Sequence, residues 1–314
     1  LFLLPLLKSF TSWGGTLKIR SNHSIKKLSK GINLLIMLGS ACTYSKTNRG
    51  QRRRIDMVNE DDIKISTVTQ TNDYTDSHIS KEEYKSGKIV EIRKNNSTDS
   101  YYLNDKELLY PLKHKKVLAT LRKLTKKDIE SKMKLSKDLL NNTYKNIKNY
   151  NSLKTHHAFE SFNGLVFKGL NKAVYKQQEY NYIEKNLLIL DAFYGLLEPG
   201  TLIKEYRLDF NMNIGLNLYN HWDIKLENEL IINLASKEFS TVLKNNELVN
   251  IHFMQKKDDK FINQATYSKQ ARGMILNYMI IEKIVDVEGI KRFNLDRYSF
   301  NKELSDAFNI VFTR

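Results

Sequence analysis

Residues 187–210 read LLILDAFYGLLEPGTLIKEYRLDF. The apolar run Leu187-Leu188-Ile189-Leu190 has the length of a buried strand, and Ala192-Phe193-Tyr194-Gly195 interrupts it where only glycine takes a positive φ without steric cost. A chain reversal is expected there, and Pro199-Gly200 marks a second one. Beyond it, Tyr206-Arg207-Leu208-Asp209-Phe210 alternates like a strand, which puts Arg207 and Asp209 on one face and Tyr206, Leu208 and Phe210 on the other.

Downstream, the patterning predicts a brief helix over 223–230, a strand over 231–235 and a short helix over 238–243. Strands over 248–254 and 261–267 follow, then a helix over 269–284 with Met274, Tyr278, Ile281 and Ile284 inward, and a closing strand over 309–312. Upstream come a short polar helix over 177–185 and a helix-turn over 158–169 carrying Phe159, Phe162 and Phe167. Before these, Val117, Leu118, Leu121 and Leu124, then Ile129, Met133, Ser136, Leu139 and Leu140, recur at helical spacing and predict two amphipathic helices. Thr125 followed three residues later by Asp128 reads as the start of the second.

Residues 59–104 carry too few apolar side chains to offset the entropy of ordering them. They read as a largely disordered or peripheral insert with one short hairpin around 88–92. An apolar run across residues 31–39 suits a first strand over 32–38. The apolar residues 1–7 are too few for a signal peptide or a membrane span. The fold class expected is α/β: one domain over residues 105–314, a mixed sheet with surrounding helices. Residues 1–104 form an atypical or poorly ordered N-terminal extension in this reading.

With 41% hydrophobic residues, 14 Phe and 17 Tyr, the chain can bury a substantial core. A single cysteine, Cys42, excludes an internal disulfide and suits a reducing cytosol. The net charge of +16 is concentrated: residues 1–60 carry +9, 61–110 carry −3, 111–150 carry +9 and 151–314 only +1. In the third block twelve cations face three anions, and Lys113, Lys115, Lys116, Arg122, Lys123, Lys126, Lys127, Lys132, Lys134 and Lys137 are expected on the outer helix face. That face is either simply solvated or a surface for a polyanion.

No phosphate-loop, dinucleotide-binding, nucleophile-elbow or H-E-x-x-H motif is present. His156-His157 is adjacent rather than at ligand spacing, so no metal site and no cofactor are expected.

Several segments together resemble the YaaA family of bacterial peroxide-stress-resistance proteins. Phe193-Tyr194-Gly195-Leu196-Leu197-Glu198-Pro199 and Tyr206-Arg207-Leu208-Asp209 are similar to its L-Y-G-x-L-x-P and Y-R-L-[DE] elements. Leu218 to Trp222 resembles L-Y-x-x-W, Asn233 to Phe239 resembles N-L-A-S-x-E-[YF], and Tyr267 to Gly273 resembles Y-[AS]-K-x-A-R-G. Phe162 to Leu170 resembles F-x-G-x-V-Y-x-G-L. The likeness runs from about residue 110 to 314. About ten family residues are missing between Trp222 and Ile232. The family's S-P-x-K element is reduced to Ser40 without Pro or Lys, with Lys46 as a shifted equivalent.

The resemblance implies a cytosolic protein that binds DNA through a basic cleft with a helix-hairpin-helix-like element and limits oxidative damage by lowering free intracellular iron. Gly164 and Gly169 are the nearest candidates for the hairpin. The expected DNA- or anion-binding cleft gathers Arg207, Asn233, Ser236, Lys269 and Arg272, with Asp209 and Glu238 as candidate acid–base groups. Lys269 and Arg272 lie one helical turn apart, suited to phosphate, and a strand-to-helix junction near Ser236 suits an anion. Arg207–Asp209 and Lys269–Glu238 could equally be internal ion pairs. DNA is the expected partner, with no membrane and no protein partner. The alternative is an enzyme acting on a nucleotide or another anionic small molecule.

Overall fold

Strand β1 (Leu34–Gly39) lacks any polar alternation, the pattern of a strand covered on both faces. In the computed structural model, which describes residues 34–40, 103–226 and 230–314, none of Leu34 to Leu38 exceeds 1% exposure. The expected hairpin around 88–92, Cys42 and Lys46 lie outside the described residues, as does most of the expected N-terminal extension.

β1 occupies the middle of the sheet. It pairs in parallel with β3 (Leu187–Asp191) on one side and β6 (Leu230–Asn233) on the other, with Gly39 opposite Leu190 and Met37 opposite Asn233. β6 continues in parallel to β7 (Leu248–Lys257), and β7 to β10 (Asn309–Thr313). The antiparallel strands β4 (Gly195–Leu197) and β9 (Ser299–Phe300) close the two edges, giving the order β4-β3-β1-β6-β7-β10-β9. β8 (Lys260–Ile262) folds back onto the end of β7. β2 (His156–His157) and β5 (Leu202–Ile203) form a separate two-stranded sheet. The architecture is therefore mixed α/β, as expected, and the sheet crosses the boundary drawn at residue 104.

The reversal after β3 forms at Gly195, whose φ is +85°. Its backbone lies directly under Trp222: a Cβ there would sit 2.4 Å from the indole. Trp222 is fully buried, and its Nε1 donates to Ala192 O at 2.9 Å, so turn and ring hold each other.

Three helices, not two, carry the basic block: α1 (Pro111–Lys123), α2 (Lys126–Met133) and α3 (Lys137–Lys148). The added break falls at Lys134, in the left-handed region at φ 48°. α2 starts where predicted. Thr125 Oγ1 accepts from Asp128 N, and Asp128 Oδ2 accepts from Thr125 N, a reciprocal cap. Leu139 is 45% exposed, so the apolar stripe of α3 runs through Leu140 and Ile147 instead.

Three further expectations are corrected. Tyr206 to Phe210 buries Leu208 and Phe210 but forms no strand, and Phe210 already lies in a turn. Residues 223–226 are not helical; the helix precedes them as α7 (Leu218–Trp222), ended by Asp223 at φ 31°. The strand predicted over 261–267 stops at Ile262 because α9 (Ala265–Glu282) begins three residues later. α9 also buries Ala271, Ile275, Leu276, Met279 and Ile280, leaving Met274, Tyr278 and Ile281 half-buried.

Glycine sets that rotation of α9. Gly273 lies against α5 (Leu165–Lys168), where a Cβ would fall 2.3 Å from Val166 O, and a Cβ at Gly169 would fall 2.8 Å from the Gly273 backbone. Only a glycine face admits such an approach. No helix among the described residues is long and apolar enough to cross a membrane.

Candidate functional site

The chain leaves β1 for β3 on one side and later returns to β6 on the other. The carboxyl ends of these three parallel strands therefore flank a topological switch point, where open α/β sheets leave a crevice. Ser40, Asp191 and Asn233 stand at those ends.

Asp191 organises this end of the sheet. It is fully buried and accepts from Ser40 Oγ at 2.6 Å, from Phe193 N and Tyr194 N at 2.8 Å each, and from the Tyr206 hydroxyl. Burial pushes its carboxyl above the usual range, while these four donors hold the ionised form against that push. The bond to Tyr206, whose ring stacks on Phe193 at 4.9 Å, fixes where the next residues go. Arg207 and Asp209 follow at once, both half-buried.

Phe210 then packs edge-on against Phe239 of α8 (Lys237–Ser240), which lays the segment across that helix. Phe210 N and the Asn211 side chain lie near the Glu238 carboxylate and favour its charged form. Burial first, and Asp209 second, push Glu238 upward; Phe210 N, Lys269 and Asn211 oppose them. The fold thus brings Asp209, Glu238 and Lys269 together. No ion pair within 4 Å joins Lys269 to Glu238 among the described residues. Tyr219 of α7 stacks on Phe210 at 5.3 Å and donates to Asn211 Oδ1 at 3.0 Å.

Asn233 is occupied within the fold: Oδ1 accepts from Ala235 N at 2.9 Å and Nδ2 donates to Asn250 Oδ1 at 2.8 Å. Ser236 precedes α8, but its side chain makes no cap hydrogen bond. The anion-attracting junction expected there is weakened by what forms: α8 is four residues long, and the N–H groups of Phe239 and Ser240 both donate to Ser236 O. Arg272, one turn after the exposed Lys269 on α9, is half-buried, and its Nε has no hydrogen-bond partner among the described residues. Burial lowers its pKa, and no neighbouring charge opposes that. A buried N–H of this kind is costly unless an acceptor reaches it, which suits an anion.

The outer face of the basic helices keeps Lys115, Lys116, Lys123, Lys126, Lys127, Lys134 and Lys137 exposed. The other three cations turn inward. Lys113 donates to Trp222 O at 2.7 Å, Arg122 reaches Ile147 O and Asn151 Oδ1 on and beyond α3, and Lys132 is half-buried. Gly164 and Gly169 flank α5, which with α4 (Ala158–Ser161) gives two four-residue helices; Gly169 is used for packing on α9.

Sequence reasoning passed over Asp191, Asn211 and His114, and met Ser40 and Tyr219 only within family-like segments, with no role assigned. A lone carboxylate closing an apolar run was the available signal for Asp191; nothing local marks Asn211. His114 of α1 is buried. Its Nδ1 faces Phe193 O at 3.1 Å and its Nε2 the Tyr150 hydroxyl at 3.2 Å, so the neutral ring donates through Nδ1 and accepts through Nε2. Tyr150 and Tyr194 hydroxyls meet at 2.8 Å, tying the turn that follows α3 to the turn after β3.

Fold and site together define a mixed α/β protein with a polar, mixed-charge cluster beside its switch point and a separate cationic helix face. A family model described as peroxide stress protein YaaA matches residues 88–304, and the chain belongs to that family. It is 36% identical over 244 residues to a UPF0246 protein of Fusobacterium nucleatum, covering 74% of this chain and 95% of the relative. A UPF0246 protein of Clostridium beijerinckii is 31% identical over 240 residues, covering 69% and 89%. One of Malacoplasma penetrans is 31% identical over 236 residues, covering 70% and 95%.

Proposed function

We propose that this member of a peroxide-stress family binds DNA through phosphate contacts in the cytoplasm, and that its action limits oxidative damage by lowering free iron. The observation that supports DNA binding is the face of α1 to α3. Its seven exposed lysines form no ion pair among the described residues, so their charge is available to a polyanion. Lys269 and Arg272 extend this phosphate role into the crevice, with Arg207 following Tyr206 there. Among the described residues no group of three or more His, Cys, Asp or Glu is placed to hold a metal ion, so in this reading the effect on iron is indirect.

Titrating a labelled duplex by fluorescence anisotropy at several salt concentrations tests the reading. Seven phosphate contacts predict a log–log salt slope of about −6, and replacing Lys123, Lys126, Lys127 and Lys134 by Ala should flatten it by about 3 to 4. An absent or unaltered slope refutes it.

One feature favours a second reading, an enzyme acting on a nucleotide or other anionic small molecule. Burial, and Asp209 after it, raise Glu238, and a carboxyl group raised beside another is the arrangement from which acid–base pairs are built. Under that reading Glu238→Gln loses turnover while duplex affinity stays.

A further inference from the structure

We propose that the crevice at the switch point receives a single nucleotide unit, with its phosphate on Lys269 and Arg272 and the amino-bearing edge of its base on Glu238. The proposal deepens the DNA-binding reading and rests on it for the source of that unit, a strand end or an unpaired nucleotide.

The charge pattern makes the argument. The face of α1 to α3 is predominantly cationic on its exposed side, seven lysines against Glu130 and Asp138, and suits a run of phosphates. The crevice is not: Asp209 and Glu238 stand with Lys269, so a continuous phosphate backbone would meet two carboxylates at close range. One phosphate carrying one base presents both an anion and hydrogen-bond donors, which is what this mixture of signs can satisfy.

Three details assign the parts. Arg272 offers a guanidinium N–H that is buried and has no hydrogen-bond partner among the described residues, one turn from the exposed Lys269. That pairing matches a phosphate. Glu238 is half-buried in the first turn of α8, where Phe210 N and Asn211 favour its charged form. A carboxylate accepts from the exocyclic amine of adenine, cytosine or guanine and has nothing to accept from the carbonyl at the corresponding position of thymine. Tyr219, half-buried and stacked on Phe210, bonds the same Asn211 and so stands beside Glu238 as an aromatic surface for the base.

The test is isothermal titration of the full chain with dAMP, dCMP, dTMP and deoxyadenosine, alongside the labelled duplex. dAMP and dCMP should bind at least tenfold more tightly than dTMP, and deoxyadenosine, lacking the phosphate, at least tenfold more weakly than dAMP. Glu238→Gln, nearly isosteric, should erase the preference over dTMP. Arg272→Lys should bring dAMP toward deoxyadenosine. Lys244→Ala, an exposed lysine, should retain the wild-type pattern, and thermal melts of each variant establish folding. Absence of dAMP binding at millimolar concentration, equal binding of the four probes, or an unaltered pattern in both folded variants overturns the proposal. Duplex binding without mononucleotide binding overturns it while leaving the DNA reading standing; mononucleotide binding without duplex binding upholds this site and refutes that reading.

Discussion

Replacing Gly195 by Ala tests whether the turn after β3 is held by packing or by backbone freedom alone. Two glycines have nearly the same φ, +85° at Gly195 and +84° at Gly215, so an alanine at either meets a similar backbone penalty, about 1–2 kcal/mol. Their surroundings differ. At Gly215 nothing lies within 4 Å of a new Cβ, whereas at Gly195 it would lie 2.4 Å and 2.5 Å from two indole carbons of Trp222. That ring is buried and cannot tilt away without losing its bond to Ala192 O. Overpacking of this kind costs a further ~1–3 kcal/mol, so Gly195→Ala should cost ~2–5 kcal/mol and Gly215→Ala only the backbone part. For a protein of this size each kcal/mol lowers the melting temperature by about 2–4 °C. Thermal and urea unfolding, followed by tryptophan fluorescence, give the two values. Equal losses would refute the argument, since the packing contribution is their difference.

Protonating His114 opposes folding, because burial lowers its pKa below the ordinary 6.5. Its contribution to stability is complete above that value and is lost as pH falls through the lower folded pKa, by up to about 1.4 kcal/mol per pH unit. His114→Gln should flatten stability between pH 7 and 5 by about one proton's worth; an unchanged slope by urea unfolding contradicts this. Thr125→Ala removes the cap of α2 and should cost about 1 kcal/mol, with amide exchange accelerating in Lys126–Met133. Exchange unaltered there would mean that packing of Ile129 and Met133, not the cap, holds the helix.

The fold was legible where side-chain pattern and local turn chemistry agree. β3, its turn at Gly195 and the Thr125 cap all depend on residues next to one another. The failures share a different cause. Alternation along Tyr206 to Phe210 reports burial correctly, since Leu208 and Phe210 are inside, but pairing needs a neighbouring strand and none is offered. The inward face of α9 was read only in part: Met274, Tyr278 and Ile281 pack against the core from its margin and Ile284 is buried, but Gly273, which no hydropathy pattern rewards, lies on the side that meets α5. In the site, Glu238 and Lys269 were visible as charged residues in recognisable segments. Their meeting with Asp209 was not, because it depends on Tyr206 reaching the buried carboxylate of Asp191 and on Phe210 crossing Phe239. The charged face of α1 to α3 was over-counted for a related reason: a long cationic side chain such as Lys113 can turn its head to a backbone carbonyl on another element.

The position of β1 has a consequence for how the polypeptide can be divided. About sixty residues separate Ser40 from Leu103, yet β1 is the strand on which β3 and β6 both assemble. Losing that strand would open the sheet in its middle, since β3 and β6 face each other only across it. A cut between Ser40 and Leu103 would put the spine of the sheet on one fragment and its two neighbours on the other. Fragment complementation, rather than truncation, is therefore the natural way to cut this chain.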